Sequence, residues 1–517
     1  MRRNKEKSAF DATRLLFILK GLVVGILTGF VVSLFRILIE FSLHLWTKLY
    51  QFIPDHPWTV FVAIFISSLL ALLIGIIARS QPNIMGSGIP QVEGQLAGDL
   101  EMNWWQILWR KFITGVLGIG AGLFLGREGP SIQLGAAVGQ GIAQGLKSTG
   151  ISRRVLIASG SAAGLSAAFN APIAGTLFVL EEVYHNFSPF VWMASLAGAI
   201  GSDFVSSNFF GLVPVLHISY SRSFPLYLYW HLILLGVVLG LFGFLYQKVL
   251  LKMPQWYERF IKLHRYFHGL VPFLLVIPIG IMWPHTLGGG NTIILGMGNV
   301  TPGLTILLGL FVLRFIFSMI SYGSGLPGGI FLPILSLGAI LGAIYGTVMS
   351  DLGLLPNIYI MNLIIISMAG YFAGIGKAPF TAIILITEMV GSLEHLMPLA
   401  LVSLIAYLVV DLLGGAPIYA SLLARLNLGK KLNELSGRND HLEIPVFLGS
   451  DLDEQQVRDV NWPNHSLLIS IHRGEHEIIP HGDTMIRSGD TLILLIDHNE
   501  MSVVRKIILK MSRSQMT

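Results

Sequence analysis

Two short runs in different halves of this chain restate each other: G-S-G-I-P at 86–90 and G-S-G-L-P at 323–327. A second match follows in the same order. Ala171-Pro172 opens an apolar run that ends at Glu181, and Ala378-Pro379 opens one that ends at Glu388, nine residues beyond the proline in both cases. Matches in the same order within two apolar halves mark an internal duplication. Such duplication is typical of secondary transporters, whose substrate site lies at the interface of the repeats. The residues leave open whether the copies run parallel or inverted. An odd number of crossings per half would force inversion.

Composition agrees with a membrane location. Of 517 residues, 53% are hydrophobic and only 12% charged, against about 25% charged in globular proteins. Runs at 15–39, 58–77, 190–210, 231–246, 305–320, 331–349 and 396–413 approach the ~20 residues that a spanning helix needs. Other apolar runs are short and interrupted by Gly and Pro, the pattern of discontinuous helices around a midplane site. The net charge of +5 matters less than its placement. Arg2, Arg3, Lys5 and Lys7 precede the first span, and Arg425, Lys430 and Lys431 follow the last. By the positive-inside rule both termini are expected to be cytoplasmic, with an even number of crossings. Nucleic-acid binding is not needed to explain this basicity. The N-terminal run is too long, and lacks the small-residue cleavage pattern, for a signal peptide. With no cysteine, disulfides and thiolate metal sites are excluded, and no metal site is expected. The polar residues sit at helix breaks without a nucleophile–base pair or phosphate loop, so a transporter is expected rather than an enzyme.

The most unusual of these breaks is G-R-E-G-P at 126–130. Ionisable groups within an apolar bundle are costly and face a cavity or pathway by default. Gly126 and Gly129 allow close backbone approach, and Pro130 suits the first turn of a helix. A helix starting there aims unpaired N–H groups at whatever fills the pocket, which suits an anion. Glu128 is itself an anion, so it can occupy a site that a small anion also wants and vacate it when protonated. The blander alternative is a buried Arg127–Glu128 ion pair that only fixes local structure.

Other breaks carry polar groups as well. Ser87 is a good helix N-cap, and its hydroxyl could instead face a ligand. The run 154–182 is rich in Ala, Gly and Ser, as tightly packed membrane helices are; Asn170 and Pro172 break it, and Glu181-Glu182 end it. Such a carboxylate pair reads either as a solvated helix end or as a proton-accepting station. Residues 328–333, G-G-I-F-L-P, enter a helix from glycines and offer a second anion cradle, or glycines that merely permit close packing. In G-A-P-I-Y at 415–419, a buried Tyr419 would seek a hydrogen-bond partner and is a credible ligand donor.

The ordered set G-S-G-I-P, G-R-E-G-P, G-G-I-F-L-P and G-A-P-I-Y resembles the CLC family of chloride channels and proton-coupled chloride transporters, over roughly residues 10–428. The resemblance implies an all-α polytopic membrane fold, a CLC-type inverted repeat with broken helices. It also implies a homodimer with one pore per subunit. Chloride and protons would be the substrates, with no cofactor. Carried over by motif, Ser87 and Tyr419 would be side-chain donors to chloride. The amides of Ile330 and Phe331, with Gly329 beside them, would be its backbone donors. Glu128 would be the gating glutamate, with Arg127 structural beside it. The family's transporters carry an acidic residue at the position of Glu182 where its channels usually carry an apolar one. This implies a proton-coupled chloride antiporter of the cell membrane; the alternative is a passive, voltage- or pH-gated chloride channel. Fluoride-transporting relatives lack the serine motif, so Ser87 implies chloride, with bromide or nitrate as further anions. Glu181 and Glu388, as repeat partners, are expected to be structural.

From about residue 429 the composition turns polar. Alternation over 467–471 and 491–496 has the period of half-buried strands. Turns at Gly474, Gly482 and 488–490 separate them, and 502–511 reads as a closing helix. Residues 1–428 are thus expected to form the transport domain and 429–517 a small cytosolic α+β domain. The run 470–490 resembles the TrkA-C regulatory domain of potassium-transport proteins. That resemblance implies dimerisation and, as one possibility, cyclic di-AMP as a ligand, with Arg473 and the backbone of Ile478, Ile479 and Pro480 as contacts. A ligand-free stability module is the equal alternative. His472, His476 and His481 lack matching acidic partners and read as surface residues.

Overall fold

The computed structural model describes residues 12–216, 222–299, 301–430, 439–464, 466–473, 476–497 and 501–512. The chain divides into two compact units, Met1–Ala424 and Arg425–Thr517. Among the described residues the first is helical, with seven helices long and apolar enough to cross a membrane. Most lie where the apolar runs predict, including Thr59–Ser80, Leu304–Gly323 and Phe331–Asp351. Two of the seven, within Arg265–Met282 and Asn357–Gly376, escape the sequence reading because Pro272, Pro278 and a string of glycines break their apolar runs. Conversely, Leu396–Leu412 has only 17 residues and ranks among the shorter apolar helices.

The second unit is a four-stranded antiparallel sheet with a closing helix, Met501–Ser512. Its strands are β1 (Asn439–Pro445), β2 (Ser466–Arg473), β3 (His476–Ile478) and β4 (Asp490–Asp497), in the spatial order β1-β4-β2-β3. The alternation in β4 turns Leu492, Leu494 and Ile496 into a core shared with Leu442, Ile471 and Ile508. β1 and β3 are not evident in the sequence: β1 mixes charges into its run, and β3 is only three residues long.

How the repeats meet is settled by two carboxylates. Glu181, just beyond the helix Pro172–Phe178, accepts hydrogen bonds from the amides of Phe380 (3.2 Å) and Thr381 (2.7 Å) and from the Thr381 hydroxyl (2.7 Å). Those amides open the other copy's helix, Pro379–Val390. Glu388, near the end of that helix, accepts from the amides of Ile173 (3.1 Å) and Ala174 (2.8 Å). Each helix therefore presents its C-terminal carboxylate to the N-terminal amides of its copy. That is possible only if the two helices run antiparallel, so the repeat is inverted. Anionic groups at helix starts satisfy orphan N–H donors and complement the helix dipole.

Small residues bring the remaining helices into backbone contact. A Cβ at Gly160 would stand 2.0 Å from the carbonyl oxygen of Gly135, and one at Gly135 would stand 2.0 Å from that of Gly160. The helices Glu128–Gly145 and Gly150–Phe169 can approach this closely only because both positions are glycine.

Candidate anion and proton site

The glycine-rich breaks at 86–90, 126–130 and 323–333 are tied to one another by backbone bonds. Gly126 N donates to Gly329 O (2.7 Å), and Gly329 N donates back to Gly126 O (2.6 Å). Gly86 N donates to Gly325 O (3.2 Å), and Gly328 N to Gly86 O (3.0 Å). Each pair joins one break of the first copy to one of the second. Around this knot start the helices Ile89–Ala97, Glu128–Gly145, Phe331–Asp351 and Ile418–Lys430. The first amides of each helix have no acceptor within it. Ile330 is the N-cap of its helix and Phe331 its first residue, both buried. Gly329 is a correction: its amide is bonded to Gly126, which leaves it a structural pin rather than an anion donor.

Ser87 does not cap the helix that follows it. The N-cap is Gly88, at a φ of 95° that a side chain would resist, and no side chain bonds the helix start. The Ser87 hydroxyl is buried without a hydrogen-bond partner. Gly129 packs on it so closely that a Cβ there would stand 2.2 Å from Ser87 Oγ. The Tyr419 hydroxyl is likewise fully buried and unpartnered, its ring held edge-on by Phe178 at 6.1 Å. Phe178 in turn packs edge-on to Phe331 at 5.8 Å. Two buried hydroxyls without acceptors beside open helix starts make a donor set suited to an anion, since each unmet buried donor costs about 1–3 kcal/mol.

Glu128 is the first residue of its helix and is fully buried. Neither carboxylate oxygen makes a well-formed hydrogen bond; the amides of Glu128 itself and of Leu332 face it. Arg127 does not pair with Glu128. It reaches Glu40 on the helix Ala12–Phe52 at 2.6 Å, so the local ion-pair alternative is not the one adopted. Glu182 lies in a π-helical turn, Val179–Val183, that follows the helix Pro172–Phe178. It is buried, with Glu93 and Glu181 as electrostatic neighbours. Tyr419 is an electrostatic neighbour of both Glu182 and Glu128.

Several supporting residues escape the sequence reading. Lys111, fully buried, donates to the carbonyls of Ile84 (2.8 Å) and Gly86 (2.7 Å) and so holds the Ser87 break. Arg314, also fully buried, donates to the carbonyls of Thr286 (3.1 Å), Gly288 (2.7 Å) and Gly289 and to Ser336 Oγ (3.1 Å). Arg36 donates to Ala167 O (2.8 Å) and Asn170 Oδ1 (3.0 Å). A lone basic residue within an apolar run is the signal that could have flagged Arg36 and Arg314; Lys111 follows Arg110 and reads as part of a basic pair. Tyr322 is another supporting residue: the Ser87 N–H is directed at its phenol oxygen.

In the second unit, Arg473 forms a two-pronged ion pair with Asp490, 2.8 Å at both Nε and Nη2, and also donates to Met485 O (2.7 Å). This pair keeps the guanidinium charged, its pKa raised first by the Asp490 hydrogen bonds. Asp490 is buried, so Arg473 acts first as a structural partner. Ile479 is exposed, and Ile478 packs against the core edge.

An inverted pair of broken-helix halves, with helix starts converging on buried unpartnered donors, is the build of a secondary transporter whose site suits a small anion. The chain belongs to the voltage-gated chloride channel (CLC) family, which matches residues 69–411. Residues 441–509 match the TrkA-C domain. Relatives named H(+)/Cl(-) exchange transporter ClcA include one from Salmonella paratyphi B, 33% identical over 83% of this chain and 93% of its own length. Another, from Salmonella arizonae, is 34% identical over 83% of this chain and 92% of its own. Among solved structures, a slow cyanobacterial Cl-/H+ antiporter superposes with a TM-score of 0.76 at 30% identity, covering 80% of this chain and 98% of that one. A CLC-type fluoride/proton antiporter, 21% identical with a TM-score of 0.59, covers 78% of this chain and 96% of its own and shares the fold.

Proposed function

We propose that this multi-pass membrane protein is a proton-coupled chloride antiporter. The observation that carries the reading is the placement of two buried carboxylates, Glu128 and Glu182, with the unpartnered Tyr419 hydroxyl an electrostatic neighbour of both. Chloride is held by the Ser87 and Tyr419 hydroxyls and the amides of Ile330 and Phe331. Glu128 competes with it for the open helix starts and leaves on protonation. Glu182 receives protons from the cytosolic side, so that chloride and protons move in opposite directions through partly separate routes. The relatives' names and the fit of the donor set to an anion both support this. A passive channel is the competing mechanism, and a buried Glu182 has no role in it.

On the same reading the protein works as a homodimer in the cell membrane with both termini cytoplasmic, and catalyses no chemical conversion. The second unit is a regulatory module for which cyclic di-AMP is the candidate ligand. The backbone of Ile478, Ile479 and Pro480 supplies the contacts, and Arg473 keeps its pairing with Asp490 while lending its outer edge. The deciding experiment is proton uptake by proteoliposomes of the full chain under an outward chloride gradient. Uphill proton movement is expected; chloride flux with no proton movement would establish a channel.

A further inference from the structure

Three phenols gather beside the anion site. Tyr246 on the helix Tyr229–Phe260, Tyr322 near the end of Leu304–Gly323, and Tyr419 are electrostatic neighbours of one another. Gln247, next to Tyr246, donates to Ala416 O at 2.9 Å, which fixes this turn of the helix against the run that carries Tyr419. The Tyr246 ring packs edge-on to Phe315 (6.0 Å) and Tyr371 (6.1 Å). Its hydroxyl is fully buried and, like that of Tyr419, has no partner. Phenylalanine would fill the same volume with the same ring contacts and no desolvated hydroxyl, so the packing alone does not account for tyrosine here.

Tyr371 shows what a merely structural phenol does in this bundle: its hydroxyl donates to Phe242 O at 3.4 Å. Tyr322 is different again. Its oxygen lies 3.5 Å from where a Cβ of Gly86 would stand, with the Ser87 N–H directed at it. A phenol oxygen that faces the Ser87 N–H keeps its own proton to donate, next to the break that holds the Ser87 hydroxyl.

We propose that Tyr246 and Tyr322 are specificity-determining residues of the anion path, adding two phenol donors to the hydroxyls of Ser87 and Tyr419. The proposal rests on the anion-transport reading given above. Phenol donors favour a compact, strongly hydrated halide over a diffuse anion, because only strong hydrogen bonds offset the lost hydration of the smaller ion.

The test is calorimetric chloride binding to the purified full chain, with nitrate and thiocyanate as competitors. It compares the unmodified protein with Tyr246→Phe, Tyr322→Phe, the double variant and Tyr371→Phe. The double variant is expected to bind chloride about tenfold more weakly and to shift its preference toward thiocyanate, while Tyr371→Phe leaves both unchanged. Unchanged affinity and rank order in the double variant would overturn the proposal. So would an equal loss in Tyr371→Phe, which would make the effect one of ring packing. If the unmodified protein bound no chloride, the anion reading would fall and this proposal with it. If it binds chloride and the variants match it, this proposal alone fails.

Discussion

The two copies of the repeat use the same scaffold for different ends, and the differences between them mark out the site. Where they agree, the residues are structural. Glu181 and Glu388 each cap the other copy's helix, and Gly126 and Gly329 bond each other reciprocally. That reciprocal pair aligns G-R-E-G-P with G-I-F-L-P, and so sets Glu128 opposite Phe331. Ser87 and Ser324 hold the same place in the two G-S-G runs, although the Gly126–Gly329 alignment sets Ser324 opposite Ala121. The Ser87 hydroxyl has no partner, whereas the Ser324 hydroxyl donates to Ser321 O at 2.7 Å within its own turn. Glu182 stands opposite Met389. A duplicated membrane fold supplies matched helix starts; the unmatched side chains, a carboxylate against an aromatic or a free hydroxyl against a bonded one, are where the halves differ at the candidate site.

The comparison can be broken at several points, beginning with the largest effect. Glu128→Ala is expected to abolish proton coupling while chloride continues to move, because the competing anion is gone and the helix start remains open. Paired chloride and proton flux assays read this directly, and an unaltered proton-to-chloride ratio would remove Glu128 from the mechanism. Ser87→Ala is expected to weaken chloride binding about tenfold, near 1.4 kcal/mol. The check is equilibrium titration, and affinity equal to the unmodified protein would move the anion elsewhere.

Glu388→Gln removes a charged cap from two helix-start amides. It should lower stability by about 1–2 kcal/mol, seen as a lower unfolding temperature, while coupling is retained. A coupling defect without a stability loss would place Glu388 on the proton route instead. Ser324→Ala, the smallest change, is expected to cost about 1 kcal/mol or less and to leave chloride affinity untouched. If it weakened binding as much as Ser87→Ala, the two G-S-G runs would not differ in the way described.

Much of this was legible in the sequence because membrane folds punish exceptions. G-R-E-G-P and the repeated G-S-G motifs stand out against apolar surroundings, and Ser87, Glu128, Ile330, Phe331 and Tyr419 are all buried around the converging breaks. What could not be read was partnership. The Arg127–Glu40 pair joins residues far apart in the chain, and the Gly329 amide is taken by a loop of the other copy. Inversion was left open by the motifs and followed only from which carboxylate meets which helix start. Tyr246 and Tyr322 stayed hidden because a tyrosine in an apolar run looks like any other aromatic until the surroundings of its hydroxyl are seen: unpartnered at Tyr246, facing the Ser87 N–H at Tyr322. In the second unit, β4 showed itself by alternation, while β3 was too short to carry a period.

The most direct test of the central claim, that the unmatched residues carry the transport, is proton movement driven by a chloride gradient in proteoliposomes of Glu182→Ala, set beside the unmodified protein. The account predicts that the unmodified protein drives protons uphill and that the variant passes chloride while moving no protons. A variant that keeps the proton-to-chloride ratio of the unmodified protein would contradict it, and Glu182 would then be one more structural carboxylate, like its neighbour Glu181.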